Sequence, residues 1–155
     1  MSVAPIRKTL SVRGIPSQVF ALFTERMNAW WPEGKTIGPQ PRVAVVMEPH
    51  VQGRWYEVSD LGIETMWGKV LVWEPPCRLV LAWQIDASWR YDPDFVTEVE
   101  LVFAPDDGRT RVEFEHRNLE RFGPSAEAHA NLLGSGWPTM LDLFAQLGDS
   151  VGDQR

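Results

Sequence analysis

Three histidines, His50, His116 and His129, together with the single cysteine Cys77, are the side chains of this sequence best suited to hold a metal ion or move a proton. None is paired at a ligand spacing such as i, i+4 on a helix, and Cys77 is remote in sequence from all three, so no metal site is expected. Gly-rich phosphate loops of the nucleoside-triphosphate and dinucleotide types are absent, and no cofactor is expected. No Ser or Cys stands in a Gly-flanked elbow, which leaves acyl-enzyme chemistry without a nucleophile. Cys77 has no partner for an intramolecular disulfide and no base beside it in sequence.

His116 is the most informative of these residues, because it falls in phase with Val112 and Phe114 and so faces the protein interior. Two readings stay open. It is either a core histidine bonded to a carbonyl or a neighbouring side chain, or a polar contact, and at most a proton donor, for a bound ligand. That makes it the one weak candidate for catalysis. Glu57 shares a phase with Trp55, yet Tyr56 and Val58 compete for the same inner face. Glu57 therefore either lies near a cavity or forms an exposed pair with Arg54.

The elements that must position these groups follow from periodicity. Ile6, Lys8, Leu10 and Val12 alternate with polar residues as a half-buried strand does, and Gly14 ends it. Pro16 suits a first helical turn, and Val19, Phe20, Leu22, Phe23 and Met27 recur at helical spacing, giving a short helix or two. The stretch from Trp30 to Pro41 is too rich in Pro and Gly for regular structure and reads as a loop. Six extended segments follow, at 42–47, 54–59, 64–73, 78–85, 95–103 and 109–117, separated by turn chemistry. From about Ser125 to Gln146, Ala130, Leu133, Trp137, Met140, Leu141 and Phe144 form one apolar helical stripe, opened by Pro124 and expected to kink at Pro138.

Strand, helix, six strands and a long helix is a recognisable order. The residues Gly53-Arg54-Trp55-Tyr56-Glu57, Trp67-Gly68-Lys69-Val70-Leu71-Val72-Trp73-Glu74-Pro75-Pro76, Arg78-Leu79-Val80-Leu81-Ala82-Trp83, Glu98 to Phe103, Glu115-His116 and Gly136-Trp137-Pro138 resemble the START-like (SRPBCC) superfamily. Within it they are similar to the branch of the C-terminal domain of the activators of the ninety-kilodalton heat-shock chaperone's ATPase, over essentially the whole chain. The resemblance implies an α+β helix-grip fold: a seven-stranded curved antiparallel sheet, two short helices after strand 1, and a long C-terminal helix across the concave face. In that family the space between sheet and helix receives lipids, polyketides or hormones, and some relatives carry out cyclisation or dehydration there.

Composition bounds the rest. The 155 residues suit a single domain over 1–155, and 44% hydrophobic with 23% charged residues is an ordinary globular balance. A net charge of -6 without a basic cluster argues against nucleic acid and anionic membranes as partners. No apolar run approaches a membrane span, no leader is visible, and a cytoplasmic location is expected. Eight tryptophans are the compositional anomaly. Trp55, Trp83 and Trp137 fall on inward phases, while Trp30, Trp31, Trp89 and Tyr91 belong to loops and suit a cavity mouth or a subunit contact. The leading expectation is a small hydrophobic or aromatic ligand held between sheet and C-terminal helix by Trp55, Glu57, Trp83, Val99, Leu101, Phe114, His116, Leu133, Trp137 and Leu141. A cyclase or dehydratase acting through His116 is one alternative. The other, implied by the resemblance, is a co-chaperone that touches a heat-shock chaperone as a protein partner.

Overall fold

The computed structural model describes residues 3–152. Its sheet is built from the alternation seen most clearly in β6 (Thr97–Asp106) and β7 (Arg109–Arg117). Thr97, Val99, Leu101 and Phe103 are buried on one side of β6, and Thr110, Val112, Phe114 and His116 on the same side of β7. The antiparallel register pairs Val99 with His116, Leu101 with Phe114 and Phe103 with Val112, so one face is continuous and apolar. Its reverse is ionic: Arg117 bridges Glu98, Glu100 and Glu115, while Arg78 pairs with Glu100 and Arg7 with Glu115. These ion pairs stand partly in water, so they add little stability individually and mainly keep this face solvated.

The other strands are β1 (Ile6–Arg13), β2 (Arg42–Met47), β3 (Arg54–Ser59), β4 (Glu64–Glu74) and β5 (Arg78–Trp83). They form one curved antiparallel sheet in the order β1-β7-β6-β5-β4-β3-β2, a meander with the first strand added at its far edge. Two short helices, α1 (Pro16–Glu25) and α2 (Met27–Trp30), join β1 to β2. The long helix α3 (Ala126–Gly152) lies on the inner face, where Leu133, Trp137, Met140, Leu141 and Phe144 are all buried. This is the helix-grip architecture. No helix among the described residues is long and apolar enough to cross a membrane.

The structure departs from the sequence expectation in several places. The C-terminal helix has 27 residues rather than about twenty, and it begins after a 3-10 stretch, Leu119–Ser125, instead of at Pro124. Gly123, at φ 78°, interrupts that stretch, because a residue preceding proline is driven out of the α region. Pro138 lies inside α3, which continues past it for fourteen residues; a proline there forfeits one backbone hydrogen bond. β5 ends at Trp83, and Ile85 makes only an isolated bridge to Tyr91. Trp30 belongs to α2 and is buried against Phe23 and Phe144 instead of lying in a loop.

Two glycines give opposite predictions. Gly68 in β4 stands opposite Trp83, and a Cβ there would strike the carbonyl oxygen of Ala82, which is fixed in the neighbouring strand. Gly68→Ala should therefore lower the unfolding free energy by about 1–3 kcal/mol. Gly134 in α3 has only Ile6 Cγ1 within reach, at 4.0 Å, so Gly134→Ala should raise stability by about 0.5–1 kcal/mol. Urea unfolding midpoints compared at constant slope check both signs.

Candidate functional site

The connection between α2 and β2 contains Pro32, Gly34 and Pro39, and its backbone polar groups need partners that no strand supplies. Arg42 at the start of β2 gives its guanidinium to the carbonyls of Trp31 (2.7 Å), Pro32 (3.1 Å) and Lys35 (3.2 Å), while its Nε donates to Asn28 Oδ1. Glu57 on β3, 1% exposed, satisfies the opposite kind of group. Its carboxylate accepts from the backbone amides of Ile37 (2.8 Å) and Gly38 (3.2 Å), from Trp67 Nε1 (2.8 Å) and from the Thr36 hydroxyl. Burial lowers the Arg42 pKa from its ordinary value, and the charges of Glu57 and Glu33 oppose that shift. One cation thus holds the loop's carbonyls and one anion holds its amides.

So fixed, the loop stands off the sheet and encloses a cavity of about 280 Å³. Trp31, Thr36 and Ile37 form its loop wall, Trp67 and Trp83 its floor on β4 and β5, and Leu133, Gly136 and Met140 its roof on α3. Ile85 and Trp89, from the β5–β6 connection, close one side. Trp89 is 45% exposed and has φ 60°, a left-handed conformation that is costly for a bulky residue. Its ring leans on His129, with centroids 4.8 Å apart. His129 is itself buried and its Nε2 has no hydrogen-bond partner. A larger hollow, about 600 Å³, lies between α1, β2 and the β4–β5 turn, away from α3. It gathers fewer rings, with Phe20 and Trp73 as its aromatic walls, and its only charged lining residue is Glu25.

Behind the floor runs a chain of buried polar groups. Trp137 Nε1, which can only donate, points at His116 Nδ1 across 3.1 Å. That makes Nδ1 the acceptor and places the ring proton on Nε2, 2.8 Å from Thr97 Oγ1. The Thr97 hydroxyl in turn donates to the Trp83 carbonyl at 3.3 Å. Burial, with a smaller contribution from His129, pushes the His116 pKa down to about 3, so the ring is neutral at ordinary pH. Both of its nitrogens are committed within the protein.

Of the ten residues expected from sequence to line a ligand site, Trp83 and Leu133 stand in the cavity wall. Glu57 lies directly behind the wall, bonded to the lining residues Thr36 and Trp67 and not to Arg54, which pairs with Glu48 and Glu64 instead. Trp55, Phe114, His116 and Trp137 belong to the ring cluster beneath it, and Val99, Leu101 and Leu141 are fully buried in the core. Trp31 and Trp89 do line the cavity, in keeping with their loop positions, whereas Trp30 and Tyr91 do not. Trp67 was hidden by register shifts at Trp55/Tyr56 and Val70/Val72, which destroy the simple alternation of β4 and its neighbours. Among the described residues no cluster of three or more His, Cys, Asp or Glu side chains gathers as metal ligands would.

The committed state of His116 has a consequence for pH. Its folded pKa of about 3 lies below the unfolded value near 6.5. Above the unfolded value both states are neutral; as pH falls below it, the unfolded chain gains the proton first and stability is lost until about pH 3. Between pH 6.5 and 4.5 the wild type should lose about 2–3 kcal/mol that His116→Gln does not lose, measured by urea unfolding of both proteins at each pH.

Residues 15–149 match the family described as "Activator of Hsp90 ATPase homolog 1-like protein". Among solved structures, the chain is 35% identical to the anthrahydroquino-γ-pyrone synthase Txn09, complexed with SUM, over 94% of this chain and 97% of that one, with a TM-score of 0.67. It is 29% identical to CalC, a self-sacrificing resistance protein from Micromonospora echinospora, over 97% of both chains with a TM-score of 0.70. Aha1 from Colwellia psychrerythraea, described as a dimer, shares the fold at 14% identity and a TM-score of 0.65, over 95% of this chain and 97% of that one. No curated protein sequence matches. With the match extending over 135 of 155 residues, the chain belongs to the family of Hsp90 ATPase activator homologue 1-like proteins.

Proposed function

We propose that this chain binds a small, flat, apolar molecule in the cavity between the 31–38 loop, the floor of β4 and β5, and α3. The observation that carries this reading is the convergence of four tryptophans, Trp31, Trp67, Trp83 and Trp89, from four separate segments on one space of about 280 Å³. A space of that size is at the lower end of small-molecule sites, and ring faces around it suit a ligand of a few fused rings. Trp89 adds weight because a half-exposed ring on a strained backbone contributes little to packing; such strain is typical of binding positions.

Binding fits the lining better than catalysis does. Lys35 is the one titratable side chain in the wall, and His116, the candidate acid, has no free nitrogen to offer. The relative at 35% identity supports a ligand of this kind, since its name denotes a synthase of a fused-ring compound. The chaperone-contact reading has only the family's description behind it.

Titration with a neutral probe, 2-naphthamide, should change tryptophan emission and raise the melting temperature, by about 2.7 kcal/mol of stabilisation at a hundredfold excess over Kd. Trp89→Gly should weaken binding roughly 3- to 10-fold, the scale of one lost ring contact. Its melting temperature should move little, because relief of the left-handed conformation offsets the lost contact with His129. A panel of naphthalene and anthracene derivatives that leaves both emission and melting temperature unchanged would sink the binding reading.

A further inference from the structure

The charge at the cavity mouth says more about the ligand than the rings do. Lys35 is the only charged residue among those lining the cavity. Its backbone is anchored, since its carbonyl accepts from Trp31 Nε1 at 2.8 Å and from Arg42 at 3.2 Å. Its side chain is exposed and makes no ion pair or hydrogen bond among the described residues. A four-carbon stem on a fixed backbone keeps the ammonium within reach of the opening.

The neighbouring anions stand outside the lining. Glu57 lies behind the wall, its carboxylate filled by four donors; Asp86, beside Ile85, accepts from the amides of Ser88 and Arg90; and Glu33, two residues before Lys35, is exposed to solvent. An aromatic cage without a cation would favour a cationic guest through the ring faces. Here the one charged side chain of the lining repels such a guest and attracts the opposite kind, in a chain whose net charge of -6 otherwise disfavours anions.

We infer that the ligand is an amphipathic aromatic anion, whose fused rings fill the tryptophan cavity and whose carboxylate or phenolate meets Lys35 at the rim. This rests on the binding reading above and adds to it the sign and position of the ligand's charge.

The test compares 2-naphthoate with 2-naphthamide, which share ring and volume and differ in charge, by tryptophan fluorescence titration at low ionic strength. The wild type should prefer the naphthoate by about 3- to 5-fold, the scale of a solvent-exposed ion pair. That ratio should shrink as salt is added and fall to about one in Lys35→Met, while Lys35→Arg keeps it. Equal affinities in the wild type, or a preference that survives Lys35→Met, overturn the inference while leaving the binding reading intact. Tighter binding of a naphthylmethyl trimethylammonium probe than of the amide also overturns it, in favour of a cation cage. Failure of every probe to bind removes both readings together.

Discussion

Two groups of opposite charge, the half-buried Arg42 and the buried Glu57, hold the 31–38 loop away from the sheet, and the cavity exists because they do. A loop this rich in Pro and Gly has no ladder to satisfy its amides and carbonyls, and burying them unpaired would cost more than the loop's apolar contacts return. Fixed charges on adjacent strands solve the problem without regular structure. Glu57 also supports Arg42, opposing the loss of its charge on burial. Removing either would leave several loop backbone groups unsatisfied, which is more destabilising than removing an exposed ion pair. The loop's apolar side chains, Trp31 and Ile37, are thereby presented to the cavity at fixed positions.

The second polar chain does the same for the floor. Trp137, His116, Thr97 and the Trp83 carbonyl form a directed series of hydrogen bonds through an otherwise apolar cluster. Hydrophobic burial alone would hold these rings together but would not choose their orientation. The series does, because only one tautomer of His116 accepts from Trp137 and donates to Thr97. It ties α3 to β6 and β7 and fixes the backbone of β5 beside Trp83, a ring that faces the cavity. A histidine among apolar neighbours is, in this protein, a positioning group for tryptophans.

The sheet was legible in the sequence because its strands bury one face, and a period of two is then written directly in residue type. β6 and β7 were visible in this way, as was β1 with Lys8 on its inner phase, where the ammonium reaches out to Asp142 instead of being buried; β2 to β5 were legible only as extended runs between turn residues. The inward direction of His116 was equally plain. Its partners were not, since whether a buried histidine faces a ligand or a neighbour depends on residues from three different elements. Glu57 shows the same limit from the other side: its phase was ambiguous because Trp55, Tyr56 and Glu57 are all buried at the β3–β4 bulge. The site itself was harder to see because loops supply much of it, and loops carry no period. Trp31 and Trp89 stood out only as large rings with no packing reason to be there.

That contrast explains why the cavity lies where it does. On the inner face beneath α3, each ring is met by another at 4.6 to 6.0 Å, as Trp137 is by Phe114, Trp83, Trp31 and His116. Close packing of that kind leaves no room for a guest. Toward the loop end, Gly136 gives α3 no side chain to fill the gap, and the loop wall is propped by polar bonds that do not shorten to close a void. Apolar collapse is therefore blocked from both sides. Water in such a space meets mostly ring faces, with Thr36 already donating its hydroxyl to Glu57, and is held poorly. A flat ligand that replaces this water gains ring contact without breaking any bond that holds the wall.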